Sequence, residues 1–187
     1  MRKNNKLIKL VETSVLAALG VVFMLMIRFP LLPSASFLEY DMGDIPVIAA
    51  SLLLGPGAGS AVLFVVALFQ SLTVSAASSW QGFIMHFLST EIFILSLYFL
   101  RKKLKTKKGT ALSLIVSTIL MALVMVPLNL IFTPMYMKVP VQAVIELLLP
   151  AIIPFNLLKG AINSFVSFLL YFPLLKILEK SKLLPKS

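Results

Sequence analysis

Apolar segments long enough to cross a bilayer recur along this sequence and leave few folds open to it. Of its 187 residues, 59% are hydrophobic and 13% are charged, and the mean hydropathy is +1.01. Soluble domains average roughly 45 to 50% apolar residues, whereas a spanning helix needs roughly 20 mostly apolar residues in succession. The composition therefore predicts an all-α integral membrane protein, with residues 1–187 forming one domain.

Breaks in the apolar pattern divide the chain into six predicted transmembrane helices. Their predicted ranges are about 7–27, 44–54, 58–75, 82–100, 110–132 and 150–176. The second range is short for a span, roughly 16 Å at 1.5 Å per residue. That helix is therefore either partly re-entrant or buried at its ends by its neighbours. The first is expected to be a retained helix, because no cleavable leader pattern is seen.

Basic residues gather in three places, at 2–9, 101–108 and 176–186. Six crossings place all three clusters on one side of the membrane, and positive loops face the cytoplasm. We therefore expect a multi-pass protein of the cell membrane with both termini cytoplasmic and short basic ends at 1–6 and 180–187. This orientation explains the net charge of +10 without any nucleic-acid partner. The lack of cysteine excludes disulfides and thiolate metal sites.

A long outer loop, residues 31–44, separates the first two helices and carries three acidic side chains. Asp44 is predicted to be the N-cap of the second helix. Apolar and acidic residues alternate near Glu39, so the loop could cap a cavity and pair Glu39 with Lys159 or with a ligand hydroxyl. An ordinary solvated loop is the alternative.

Three polar residues fall on one face of the sixth helix, because Asn156, Lys159 and Asn163 are spaced i, i+3, i+7. An ammonium group within a bilayer costs about 2.5 to 3.5 kcal/mol, so Lys159 should face a partner or a cavity. Asn129 of the fifth helix lies at a similar depth. Such amides and an ammonium could bind the edge of a planar polar heterocycle. Interhelical hydrogen bonding is the alternative, above all for Asn163.

The remaining polar groups suggest no catalysis. His86 lacks a second ligand at metal spacing, so a structural or interfacial role is expected. Phosphate-binding, zinc-protease and serine-nucleophile motifs are all missing from the sequence, which predicts a non-enzyme without cofactor or metal. A small intramembrane lipid-modifying enzyme, with Glu91 and His86 as acid and base, is the alternative from another class. Trp80 could line a cavity or belong to an interfacial belt.

The first helix carries small residues four apart, Ser14 and Ala18. Such a strip allows another helix to approach closely. Packing within the chain and docking of a partner subunit explain it equally well.

Four segments together resemble the S components of energy-coupling-factor (ECF) vitamin transporters, and among them the riboflavin-binding members. They are FLEYD at 37–41, DIP at 44–46, LGPGAG at 54–59 and NLLKGAIN at 156–163. The resemblance implies a six-helix protein that captures riboflavin outside the cell. It also implies delivery through a membrane coupling subunit and two cytoplasmic ATPase subunits. An S component for another vitamin, such as thiamine or biotin, is the nearest alternative.

The resemblance also implies roles for particular residues. Polar contacts to the flavin and its ribityl chain fall to Glu39, Asn129, Asn156 and Lys159. Leu38, Tyr40 and Trp80 would cover the flavin ring. Asn163 would be a helix-packing or supporting residue. The family docks on its coupling subunit through an Ala-x-x-x-Ala strip, which here reads Ser14-x-x-x-Ala18.

Overall fold

The computed structural model describes residues 2–181, with side chains from residue 5 onward. The helices are α1 (Arg2–Met26), α2 (Asp44–Leu54), α3 (Pro56–Leu72), α4 (Ser79–Lys103), α5 (Lys107–Met137), α6 (Val141–Leu147) and α7 (Ile153–Lys180). Two short strands, β1 (Arg28–Pro30) and β2 (Glu39–Asp41), follow α1. The predicted helical class is confirmed. Most of the predicted basic end at 180–187 lies outside the described residues.

Four helical stretches of the described chain are long and apolar enough to cross a membrane. They are α1, α4, α5 and the stretch Val141–Lys180. α2 and α3 are shorter apolar helices. Nine of the eleven residues of α2 are buried, and it packs against α1, α3, α4 and α7. Of the two alternatives for this short helix, the structure therefore shows burial by its neighbours.

The outer loop is more ordered than the sequence predicts, and the all-α description is wrong at this point. β1 and β2 pair antiparallel, with Arg28 opposite Asp41, Phe29 opposite Tyr40 and Pro30 opposite Glu39. The rings of Phe29 and Tyr40 lie 5.3 Å apart. Apolar and acidic residues alternate at 38–41, but strands of three residues are too short to be predicted from such an alternation.

Residues 133–149, which separate the fifth and sixth predicted helices, are mostly helical. α5 continues through Pro134 to Met137, where Lys138 adopts a left-handed conformation with φ 56°. α6 then begins at Val141 and runs into a π-helical turn, Leu148–Ile152, which joins it to α7 without a break. The predicted helix start at residue 150 is therefore wrong.

The π turn contains one proline, Pro150, and a second, Pro154, follows it. Pro154 has no N–H to donate to the carbonyl of Pro150, and its ring would clash with that carbonyl in an α-helix. Within the π turn, the N–H of Ile153 bonds to the carbonyl of Leu148, five residues back. Widening the turn in this way lets the helix pass two prolines.

One face of α1 packs against the bundle and the other is exposed. Ala17, Gly20 and Met24 are buried. A Cβ at Gly20 would lie 2.5 Å from Val66 Cγ2 of α3, so only glycine allows this close approach. Ser14 and Ala18 lie on the exposed face.

Candidate functional site

Lys159 of α7 is balanced by two carboxylates from the segment that joins β2 to α2. Its Nζ lies 3.2 Å from Oδ2 of Asp44 and 3.4 Å from Oδ2 of Asp41. The lysine side chain is 12% exposed and each carboxylate 2%. Burying a lone charge is costly, and two opposite charges at this distance offset that cost. The expectation that Lys159 needs a partner is thus confirmed, but the suggested partner, Glu39, is wrong.

Asp44 is the centre of this charge cluster, which we define as Asp41, Asp44, His86, Lys159 and Asn163. Its Oδ1 lies 2.7 Å from Nε2 of His86, and its Oδ2 accepts a hydrogen bond of 3.3 Å from Nδ2 of Asn163. Both oxygens of this carboxylate are directed to side chains of other helices. Asp44 is accordingly the first residue of α2 rather than its N-cap, and Gly43 precedes it without a side-chain cap.

Tyr40 closes the inner side of the cluster. Its hydroxyl donates a hydrogen bond of 2.9 Å to Oδ1 of Asn163. Burial raises the pKa of Tyr40 to about 12, so the hydroxyl keeps its proton at neutral pH. Because Asn163 then donates to Asp44, the ring and the carboxylate are linked through one amide.

Asp41 fixes the turn between β2 and α2. Its Oδ1 accepts from the backbone N–H of Gly43 at 2.9 Å, and its Oδ2 accepts from Nε2 of Gln70 at 3.3 Å. Gln70 lies in the last turns of α3. The strand pair, α2, α3 and α7 are therefore joined at one end of the bundle by a single carboxylate.

Beside the charge cluster lies a cavity of about 170 Å³, which we call the outer cavity. β1, β2, α3, α4, α5 and α7 all contribute to its lining. Four of the predicted site residues line it: Leu38, Glu39, Asn156 and Lys159. His86 lines it too, and its Nδ1 is buried with no hydrogen-bond partner among the described residues. With Nε2 held by Asp44, Nδ1 is the nitrogen left for a ligand.

Glu39 and Asn156 line the cavity, and each already has a partner nearby. Glu39 forms an ion pair with Arg28, whose Nη1 also donates to the carbonyl of Val74 at 2.9 Å. Asn156 donates from Nδ2 to the carbonyl of Ile152 at 2.7 Å, in the π turn. The Asn156 side-chain oxygen is left for other donors.

The other four predicted site residues do not line the outer cavity. Asn129 is buried, donates to the carbonyl of Met125 at 2.8 Å and accepts from Thr133 at 2.8 Å. Trp80 is 52% exposed, with its ring edge-on to Phe132. Tyr40 and Asn163 belong with the charge cluster.

Sequence reasoning missed the roles of Asp41, Gln70, His86 and Arg28. The signal for Asp41 was present, since a buried lysine needs a carboxylate and the outer loop offers three. His86 gave no signal, because its partner lies on another helix. Glu91 accepts from the hydroxyl of Ser60 at 2.8 Å. His86 and Glu91 thus have different partners, which weakens the alternative of joint acid–base chemistry.

The fold is that of a helical membrane protein with a polar cavity at one end. The family model for the ECF transporter substrate-specific component matches residues 8–171. The riboflavin transporter FmnP of Bacillus subtilis (strain 168) is 34% identical over 185 residues, which cover 95% of this chain and 97% of FmnP. The riboflavin transporter RibU of Streptococcus thermophilus (strain ATCC BAA-250 / LMG 18311) is 32% identical over 180 residues, 92% of this chain and 85% of RibU.

The fold comparison agrees. A solved structure of the S component of a bacterial ECF transporter covers 91% of this chain and 96% of its own, with a TM-score of 0.78 and 32% identity. The chain belongs to the substrate-specific (S) components of ECF transporters.

Proposed function

We propose that this S component binds riboflavin at the outer face of the membrane and is the substrate-specific subunit of an ATP-driven ECF importer. The observation that carries the proposal is the convergence of a carboxylate, an amide and an ammonium, from Glu39, Asn156 and Lys159, on one cavity. Relatives over nearly the whole chain are named riboflavin transporters, which supports the same ligand.

The chemistry of riboflavin matches these groups. The isoalloxazine edge carries carbonyl acceptors and an N–H donor, which suit the Lys159 ammonium and the Asn156 amide. The ribityl hydroxyls are donors that suit the Glu39 carboxylate. Nδ1 of His86, which has no hydrogen-bond partner among the described residues, adds a further polar group. Leu38 supplies apolar surface for the ring.

The outer cavity must widen to hold a flavin. Its volume of about 170 Å³ is below the roughly 300 Å³ at which pockets for drug-sized ligands begin. The segment between β1 and β2 is the part that can move, because Phe37 there is 44% exposed and the Arg28–Glu39 pair is partly exposed. The proposal keeps Asn129, Tyr40 and Trp80 as ligand contacts of the widened cavity, although none of them lines the cavity of about 170 Å³.

The proposal includes orientation and assembly. All six helices of eleven residues or more would cross the membrane as one domain, with both termini in the cytoplasm of the cell and the outer cavity outside. The exposed strip at Ser14 and Ala18 would dock on the membrane coupling subunit, which works with two cytoplasmic ATPase subunits. This chain would supply ligand recognition and no catalysis.

Titration of purified protein with riboflavin tests the function. We expect stoichiometric quenching of flavin fluorescence, with thiamine and biotin failing to compete. Mass spectrometry of small molecules that copurify gives an independent identification. Absence of flavin binding by protein that is folded in detergent would contradict the proposal, and competition by another vitamin would assign a different ligand.

A further inference from the structure

A second cavity lies at the opposite end of the bundle, between the end of α2 and the end of α4. Its volume is about 380 Å³, and we call it the basic cavity. Arg101, Lys102 and Lys105 line it, and none of the described residues that line it is acidic. Gly55 lines it as well, with φ +95°, and a Cβ there would meet nothing within 4 Å. The backbone is therefore open on this side.

Two hydrogen-bond donors at the basic cavity are left without partners. The Ser51 hydroxyl and Nε of Arg101 are both buried, and neither has a hydrogen-bond partner among the described residues. The Ser51 residue is 4% exposed. Buried polar groups are nearly always hydrogen-bonded, so these two donors are available to an acceptor that enters beside them.

Arg101 is held in place by an aromatic ring and carries no paired carboxylate. Its guanidinium lies over the ring of Tyr171, 4.5 Å from the centroid, and donates to the Tyr171 hydroxyl. Within residues 5–181, no carboxylate oxygen lies within ion-pair distance of this guanidinium. Contact with Tyr171 of α7 therefore holds the guanidinium in one orientation, and its positive charge is available to an anion.

We propose that the basic cavity binds the phosphate group of an anionic phospholipid. A phosphate oxygen accepts from arginine, lysine and hydroxyl donors alike, which matches this set. α4 passes from Phe99, which is 61% exposed, directly to Arg101 and Lys102, as a helix does where hydrocarbon meets water. Basic pockets between helices on the cytoplasmic side bind anionic headgroups. The site needs the proposed orientation but no flavin.

Lipid binding by the purified full-length protein tests this site. Native mass spectrometry in detergent measures adducts with phosphatidylglycerol and with phosphatidylcholine. The variant K102Q/K105Q should bind phosphatidylglycerol roughly thirtyfold more weakly than the parent, about fivefold for each lysine removed. The matched control is K103Q/K108Q, which removes two exposed lysines that do not line the cavity.

The control should keep the parental preference for phosphatidylglycerol, and both variants should bind riboflavin as the parent does. Ser51→Ala, which keeps the Cβ, should weaken phosphatidylglycerol binding with an unchanged melting temperature. If both lysine variants lost the same affinity for phosphatidylglycerol, the binding would depend on the overall charge of the loop and not on the basic cavity. That result would overturn the proposal. A different outcome is that inorganic phosphate raises the melting temperature of the parent but not of K102Q/K105Q, while the parent shows no preference for phosphatidylglycerol. That result would overturn the phospholipid as the ligand and assign free phosphate to the cavity.

Discussion

The Lys159 ammonium and the Asp44 carboxylate lie 3.2 Å apart, one from α7 and the other from the first residue of α2. Both are buried, so the pair joins two helices at the end of the bundle where the outer cavity opens. A residue proposed to touch the ligand therefore also stabilises the fold, and its two roles need separate measurements.

Lys159→Met should destabilise the protein as well as weaken flavin binding. The substitution leaves two buried carboxylates without their cation, and breaking a buried pair from one side costs about 3 to 5 kcal/mol. The double variant K159M/D44N should recover part of this loss, because it removes one of the orphaned charges. Unfolding in detergent without flavin is the measurement; a Lys159→Met protein as stable as the parent would show that the pair contributes nothing.

Glu39→Gln should weaken riboflavin binding about tenfold while changing stability by less than about 1 kcal/mol. Hydrogen bonds to charged groups contribute about 1.5 to 3 kcal/mol, whereas partly exposed ion pairs such as Arg28–Glu39 contribute little. The matched control is Glu146→Gln, an exposed acid in α6 that does not line the outer cavity. Equal affinities in the two variants would remove Glu39 from the site.

Substitutions at His86 should separate its two nitrogens. Gln can reach Asp44 with an amide nitrogen in place of Nε2, whereas Asn can present an amide oxygen where Nδ1 faces the cavity. We expect His86→Gln to keep stability and lose flavin affinity, and His86→Asn to lose stability and keep more affinity. Flavin titration measures the affinity and thermal unfolding measures the stability. If each variant lost both affinity and stability, His86 would have a structural role alone.

Ala18→Trp should block assembly with the coupling subunit without changing riboflavin binding. Ala18 is exposed on α1, so a large ring there fills the strip that another helix would approach. Ile115→Trp is the control, since it places the same ring at a position 57% exposed on α5. Copurification with the coupling subunit and vesicle uptake are the readouts. Normal assembly of Ala18→Trp would place the docking surface elsewhere.

Gly160→Ala should destabilise the protein by about 1 to 3 kcal/mol through overpacking. A Cβ there would lie 2.6 Å from Cγ2 of Thr118 and 3.0 Å from Cε of Met121, where α7 crosses α5. Gly57→Ala is the matched control, because its Cβ would meet nothing within 4 Å and alanine favours the helix by about 0.5 to 1 kcal/mol. Thermal unfolding should therefore shift in opposite directions.

The helices could be predicted from sequence because hydropathy is a local property. Segments such as α4 and α5 can be predicted from their apolar composition alone, and only the predicted ends of these helices were wrong. Pro134 and Pro150 look like helix ends in a sequence, but neighbouring helices can satisfy or replace the lost hydrogen bond in a membrane bundle. The predicted break between residues 132 and 150 is wrong for that reason.

The candidate site was only partly predictable. A lysine in an apolar helix requires a partner on energetic grounds, but its choice among Glu39, Asp41 and Asp44 depends on the fold. The β1–β2 pairing, whose partner strand cannot be identified from the sequence pattern, brings Asp41 toward Lys159 and pairs Glu39 with Arg28. Contacts between distant segments follow from three-dimensional packing and not from spacing.

Because of the π turn at Leu148–Ile152, the number of residues in this short segment determines which side chains of α6 face the bundle. A π turn holds one residue more than the α-helical turn it replaces, so deleting a residue would rotate α6 by about 100° relative to α7. Val144, fully buried in α6, would then leave its packing position. Among relatives, a one-residue gap at this place would therefore signal that a different face of α6 packs against α5, even where every flanking residue is identical.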